Sequence, residues 1–193
     1  MLQKKFNKKN IILASASPRR HELFKELGVN FSIKVKEVEE TYNVELKEDE
    51  ITNYLCKLKA DAFTNEILEN DIIITADTIV WHNNKALEKP KNAEDAIIML
   101  KELSGKKHKV FSSFCVKTYK SEHIISDVTI VSFKELSQKE IEYYVENYQP
   151  FDKAGAYGIQ EWIGLIGVTL IEGSYFNVMG LPVHKLYEEL LKL

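Results

Sequence analysis

The chain reads as an α/β protein built on a mixed, twisted sheet with flanking helices. Three patterns carry that reading. Strand-like and helix-like stretches alternate through the first half of the chain, as βα units do. The run 72–80, IIITADTIV, is nearly all apolar on both faces of a two-residue period, as a central strand covered on both sides must be. Two stretches rich in β-branched and aromatic residues, 110–119 and 123–133, then follow one another across a short polar turn. Consecutive strands of that kind argue for a mixed sheet rather than a purely parallel one.

Taken in order, residues 10–14 form a short apolar run and read as a buried strand. Ser17 as N-cap, Pro18 at the first helical position and Gly28 as terminator bound a first helix whose apolar face holds Leu23, Phe24 and Leu27. Phe31, Ile33 and Val35 alternate with polar residues, as in a half-buried strand. From 48 to about 68, Ile51, Leu55, Leu58 and Ala62 fall on one helical face. Asn92 caps a helix carrying Ala96, Ile97, Leu100 and Leu103, which stops at Gly105. Ser137 and Glu140 have capping-box spacing ahead of Ile141, Tyr144 and Val145. The glycine-punctuated stretch 155–173 reads as loop and strand, and Pro182 opens a last helix through Leu186, Leu190 and Leu191.

Bulk properties narrow the function. The chain has 193 residues, 45% hydrophobic, which suits a single domain, 1–193, with a sizeable core. A net charge of -3 supplies no global basic field, so a nucleic-acid partner is not expected and an anionic ligand needs local positive groups. Cys56 and Cys115 form no C-x-x-C and read as reduced thiols. The basic N-terminus is followed by too short an apolar run for a signal peptide, and no run nears the ~20 apolar residues of a membrane span. A cytoplasmic protein is expected. The scattered histidines have no zinc-ligand spacing.

The sharpest local feature is LASASPRR at 13–20, a strand, a serine turn and a helix opening on Arg19 and Arg20. A helix N-terminus attracts anions, and each cation there is disfavoured by ~0.3–1 kcal/mol. A bound polyphosphate reverses that sign, and Ser15 and Ser17 add hydroxyl donors. The alternative is a plain Ser17 cap with both arginines in solvent. The segment is no Walker loop. Asp77 lies inside the apolar run on the face of Ile73, Thr75 and Ile79, at the strand's C-terminal part. An ionised carboxylate there costs several kcal/mol unless paired or metal-bound. It is either a functional group at a cleft mouth or a structural hydrogen-bonding residue. Glu40, in the acidic segment 37–40, is cheap alone, but with Asp77 it offers an oxygen-ligand pair for Mg²⁺ or Mn²⁺ and a group to orient water. Lys59 borders the apolar face of its helix, and Lys89 precedes Pro90; either reads equally as a solvated lysine.

Beyond these residues the chain resembles the Maf family of nucleoside triphosphate pyrophosphatases over nearly its whole length. The matching stretches are LASASPRR at 13–20, Glu39-Glu40, Lys59-Ala60, Ala76-Asp77-Thr78, Lys89-Pro90, LSG at 103–105 with His108, DKAGAYGIQ at 152–160 and GSYFNVMGLP at 173–182. The resemblance implies two lobes around a cleft, similar to inosine triphosphate pyrophosphatase-like folds. It implies hydrolysis between the α and β phosphates with a divalent cation (Mg²⁺, Mn²⁺ or Co²⁺), and a homodimer. Pro18-Arg19, Thr78 and Gln160 match the subgroup acting on dTTP and UTP. Carried over, Asp77 is the proton acceptor and, with Glu40, the metal ligand. Lys59, Lys89, Arg20 and Ser15 hold phosphates, while Arg19, Thr78 and Gln160 select the base. A non-enzymatic nucleotide-binding regulator of cell division is the alternative the resemblance leaves open. One departure stands out: Glu161-Trp162 follows Gln160, where the family commonly has glycine, and this pair is expected to narrow or re-aim the base pocket.

Overall fold

The computed structural model describes residues 2–193. Among these, β1 (Asn10–Leu13), β2 (Ser32–Ile33), β3 (Asp71–His82), β4 (Lys85–Leu87), β5 (Lys107–Thr118), β6 (Glu122–Phe133) and β7 (Val168–Glu172) form one seven-stranded sheet. Its order is β2-β1-β3-β5-β6-β7, with β4 also beside β3. β1 runs parallel to β2 and β3, and the remaining pairs are antiparallel, so the sheet is mixed as expected. The helices are α1 (Leu2–Lys5), α2 (Pro18–Lys25), α3 (Asp49–Asp61), α4 (Ala93–Leu103), α5 (Gln138–Tyr148), α6 (Trp162–Gly167), α7 (Tyr175–Val178) and α8 (Val183–Lys192). No helix among the described residues is long and apolar enough to cross a membrane.

Two large cores form on the sheet, beside three smaller clusters, and give the molecule two lobes. One gathers Leu13, Phe24, Ile74, Phe114, Leu186 and Leu190. The other gathers Val80, Leu100, Val131, Phe133, Tyr144 and Ile163. β3 and β5 run through both. β3 is longer than the sequence pattern indicates and is buried almost throughout. Along one edge it pairs with β5 from Ile72 to Trp81. Its other edge is shared: β1 covers Asp71 to Ile74, and β4 covers Val80 to His82. Neither strand covers the stretch 75–79, and the cleft opens at that gap. Asp77 therefore lies mid-strand rather than near the strand's end. What exposes it to the cleft is the early end of β1 at Leu13.

Several expectations need correction. β2 is only two residues long, and Ile33 and Val35 are half exposed, because its partner β1 is itself so short. α3 ends at Asp61 rather than near 68: the chain turns so that Phe63 enters a small core with Ile12, Ala14 and Ile73. Within the stretch read as loop and strand, α6 is a helix. Its glycines weaken helix propensity, yet Gly164 is required because a Cβ there would stand 1.9 Å from the Ile159 carbonyl oxygen. Asn92 and the Ser137–Glu140 capping box form as expected.

Candidate active site

The cleft at the open edge of β3 has a volume of about 470 Å³, in the range of small-molecule sites. Three sequence-expected residues meet in it. α3 packs on the face of β3 that carries Ile79 and Trp81, and Thr75 on that face donates to the Cys56 carbonyl at 2.6 Å. That packing aims Lys59 at Asp77. Lys59 Nζ lies 2.6 Å from Asp77 Oδ1 and 3.0 Å from Glu40 Oε2. The Lys59 and Asp77 side chains are only 16% and 11% exposed, so the costly carboxylate is paired.

Arg20 lies against the opposite face of the pleat, where Thr78 points. Its Nε donates to the Gly180 carbonyl at 2.8 Å, Nη1 to the Ala76 carbonyl at 2.9 Å and Nη2 to Thr78 Oγ1 at 3.0 Å. The Ala76 bond satisfies a carbonyl in the strand-free gap. Burial pulls the guanidinium below its ordinary value, against the raising charge of Asp77, but arginine keeps its proton. Arg20 is thus a brace with two N–H groups left over. Thr78 Oγ1 is also shared with Ser112 Oγ at 2.8 Å, so its hydroxyl is engaged within the protein.

The serine turn differs in detail from the sequence expectation. Ser17 occupies the N-cap position of α2 but its side chain makes no capping bond. Ser15 Oγ, buried, instead accepts the Ser17 N–H at 3.2 Å. The arginines do not both lie free in solvent: Arg19 Nη1 crosses the cleft to Asp152 Oδ2 at 2.6 Å. Lys89 is exposed on the cleft wall. Gln160 also lines the cleft, and its Oε1 is buried with no hydrogen-bond partner. Buried acceptors of that kind are rare and call for a ligand or water. Glu161 and Trp162 do not line the cleft, so the expected narrowing by these side chains does not occur. Trp162 packs on Tyr143, with ring centroids 4.8 Å apart.

Other lining residues went unassigned in the sequence. The Tyr42 hydroxyl donates to Glu88 Oε1 at 2.6 Å; burial, then Glu88, push its phenol up, keeping it a neutral donor. Asp152 and Lys153 sit inside the DKAGAYGIQ stretch, but neighbouring opposite charges look like any solvated loop. Burial raises the Asp152 carboxyl, yet Lys153 and Arg19 together hold it below the usual carboxylate range. Tyr157 bonds at 2.8 Å to His108, whose imidazole burial pushes down to about 3, so a neutral ring braces the cleft wall.

No group of three or more candidate metal-ligating side chains occurs among the described residues. The fit for a divalent cation rests on Asp77 and Glu40, whose oxygens converge on one ammonium. Two carboxylates plus substrate phosphates is a donor set such hard cations accept.

An α/β fold with a lysine-bridged carboxylate pair and two arginines at one cleft has the side-chain chemistry that suits a phosphate-bearing ligand. Residues 10–193 match the family model described as Maf-like protein, and the chain belongs to that family. It is 58% identical to the dTTP/UTP pyrophosphatase of Flavobacterium johnsoniae over 193 residues, covering 100% of both chains. It is 52% identical to that of Bacteroides fragilis, covering 95% of each. Among solved structures, the Staphylococcus aureus Ham1 protein matches with a TM-score of 0.48 at 14% identity, over 65% of this chain and 72% of that one.

Proposed function

We propose that the chain is a nucleoside triphosphate pyrophosphatase that hydrolyses dTTP and UTP to the monophosphate and pyrophosphate. The observation that carries this is the Asp77–Lys59–Glu40 cluster at the strand-free edge of β3, in a cleft also lined by a Gln160 acceptor that lacks a partner. The full-length relatives, named as dTTP/UTP pyrophosphatases, support it.

In this reading Asp77 takes the proton of the attacking water while Lys59 holds the carboxylate in place. The water oxygen bonds to the α phosphorus, the α–β bridging bond breaks, and pyrophosphate leaves. Lys59, Lys89, Ser15 and the two uncommitted N–H groups of Arg20 hold phosphate oxygens and offset the charge that develops on the leaving group. Asp77 and Glu40 would hold a divalent cation, which supplies charge neutralisation at the phosphates when bound. Gln160 Oε1 accepts the imide N–H of uracil or thymine, with Arg19 and Thr78 flanking the base side. A mismatch leaves that buried oxygen unpaired, which is the stronger form of discrimination. A cytoplasmic homodimer acting on free nucleotides rather than nucleic acid completes the reading, supported by the net charge of -3 and the family resemblance.

The test is phosphate-species analysis with dTTP and UTP in Mg²⁺, Mn²⁺ and Co²⁺. The wild-type chain is expected to release pyrophosphate, and Asp77→Asn to lose about 10²–10⁴-fold of the rate while remaining folded. Orthophosphate release, or an active Asp77→Asn variant, would sink the assignment. Nucleotide binding without hydrolysis by the wild type would favour the regulator.

A further inference from the structure

Glu161 follows Gln160, yet its side chain turns beneath the loop 152–160 instead of entering the cleft. Its Oε1 lies 3.0 Å from Lys153 Nζ. Its Oε2 accepts the Tyr144 hydroxyl, and the same hydroxyl oxygen accepts the Gly158 N–H at 3.0 Å. Gly158 lies so close that a Cβ there would stand 2.8 Å from Glu161 Cδ. Lys153 is only 8% exposed and also holds Asp152 Oδ1 at 2.7 Å, while Asp152 Oδ2 holds Arg19. The result is a row of alternating charges, Glu161, Lys153, Asp152 and Arg19, running from the base of the loop across the cleft to α2.

A buried ammonium is costly unless its charge is matched. Lys153 faces two carboxylates, and the Asp152 carboxylate is shared with Arg19. With a neutral amide in place of the Glu161 carboxylate, Lys153 loses a charge partner and draws harder on Asp152, and one remaining oxygen must serve the two donors, Lys153 and the Tyr144 hydroxyl, that now have one each. Both changes fall on the loop that carries Gln160. Neither reaches Asp77, Glu40 or Lys59, which are held by β3, α3 and the segment before α3.

We propose that Glu161 is a positioning residue for base selection: by holding Lys153 and Tyr144 it fixes the loop bearing Gln160 and, through Asp152, the resting place of the Arg19 guanidinium. This rests on the proposed role of Arg19 and Gln160 at the base. The experiment compares wild type, Glu161→Gln and Tyr144→Phe with UTP and with CTP, whose base lacks the imide N–H. For Glu161→Gln the KM for UTP is expected to rise about tenfold, with kcat within about twofold of wild type. The preference in kcat/KM for UTP over CTP is expected to fall about tenfold. Tyr144→Phe should shift the same quantities the same way by less. A purely structural role would lower kcat through loss of folded enzyme and leave KM and the UTP preference alone; that pattern overturns the proposal, as does an unchanged Glu161→Gln. If Glu161→Gln yields no folded protein, an unchanged UTP preference in Tyr144→Phe overturns it. A wild-type chain that releases no pyrophosphate overturns the proposed function itself and this role with it.

Discussion

At the scale of single residues, Lys59 decides more than its sequence context suggests. A lysine at the border of an apolar helix face is ordinarily solvated, but here it is the ammonium on which Asp77 and Glu40 converge. Removing it leaves two carboxylates side by side with only the more distant charge of Arg20 to offset them, and in the proposed function it takes a cation from the phosphates. Lys59→Met is therefore expected to lower kcat/KM for dTTP by about 10²–10³-fold, read by steady-state pyrophosphate release. Lys59→Arg should restore only part of this, because the longer, planar guanidinium cannot occupy the single point where the ammonium lies 2.6 Å from Asp77 and 3.0 Å from Glu40. Asp77 was legible because a carboxylate in an apolar strand demands an explanation. Asp152, Lys153 and Glu88 were not, because charged loop residues cost nothing in a sequence and acquire meaning only from the wall they line.

Among the elements, those with a local signal form where the sequence places them. The capping box of α5 is one: Ser137 accepts from the Glu140 amide, and Glu140 reaches back to the Ser137 amide. Ser137→Ala is expected to cost about 1 kcal/mol. In a protein of this size that lowers Tm by roughly 2–4 °C in a thermal melt. Lys134, then Ser137, push the Glu140 carboxyl down to about 2. A depressed carboxyl stabilises the fold above its unfolded value of about 4.3 and loses that contribution as pH falls toward 2. The Tm deficit of Glu140→Gln, present at pH 7, should shrink across that window. Elements without a local signal depart from the sequence pattern. β2 shortens because its partner ends, α3 stops where Phe63 finds a core, and α6 forms despite two glycines because Gly164 must pass close to Ile159.

For the molecule as a whole, β3 and β5 cross both cores, so neither lobe can unfold without exposing apolar residues of the other. The chain is accordingly expected to melt as one domain: a calorimetric scan should show a single transition with equal calorimetric and van't Hoff enthalpies. Two resolved transitions would refute that. The sequence by itself determined the mixed α/β class, the long central strand, the caps and the residue types that phosphate chemistry needs, because periodicity, capping and the cost of a buried charge are local. Only the tertiary structure decided that β1 ends early and β4 begins late along β3, leaving the gap in which Asp77 meets Lys59 and Glu40. It also decided that Arg20 braces that gap, that Arg19 spans the cleft, and that Glu161 lies under the loop instead of in the pocket. These depend on which strand runs out beside which and on pairs far apart in the chain, as with Arg19 and Asp152. No spacing along a single sequence encodes such meetings.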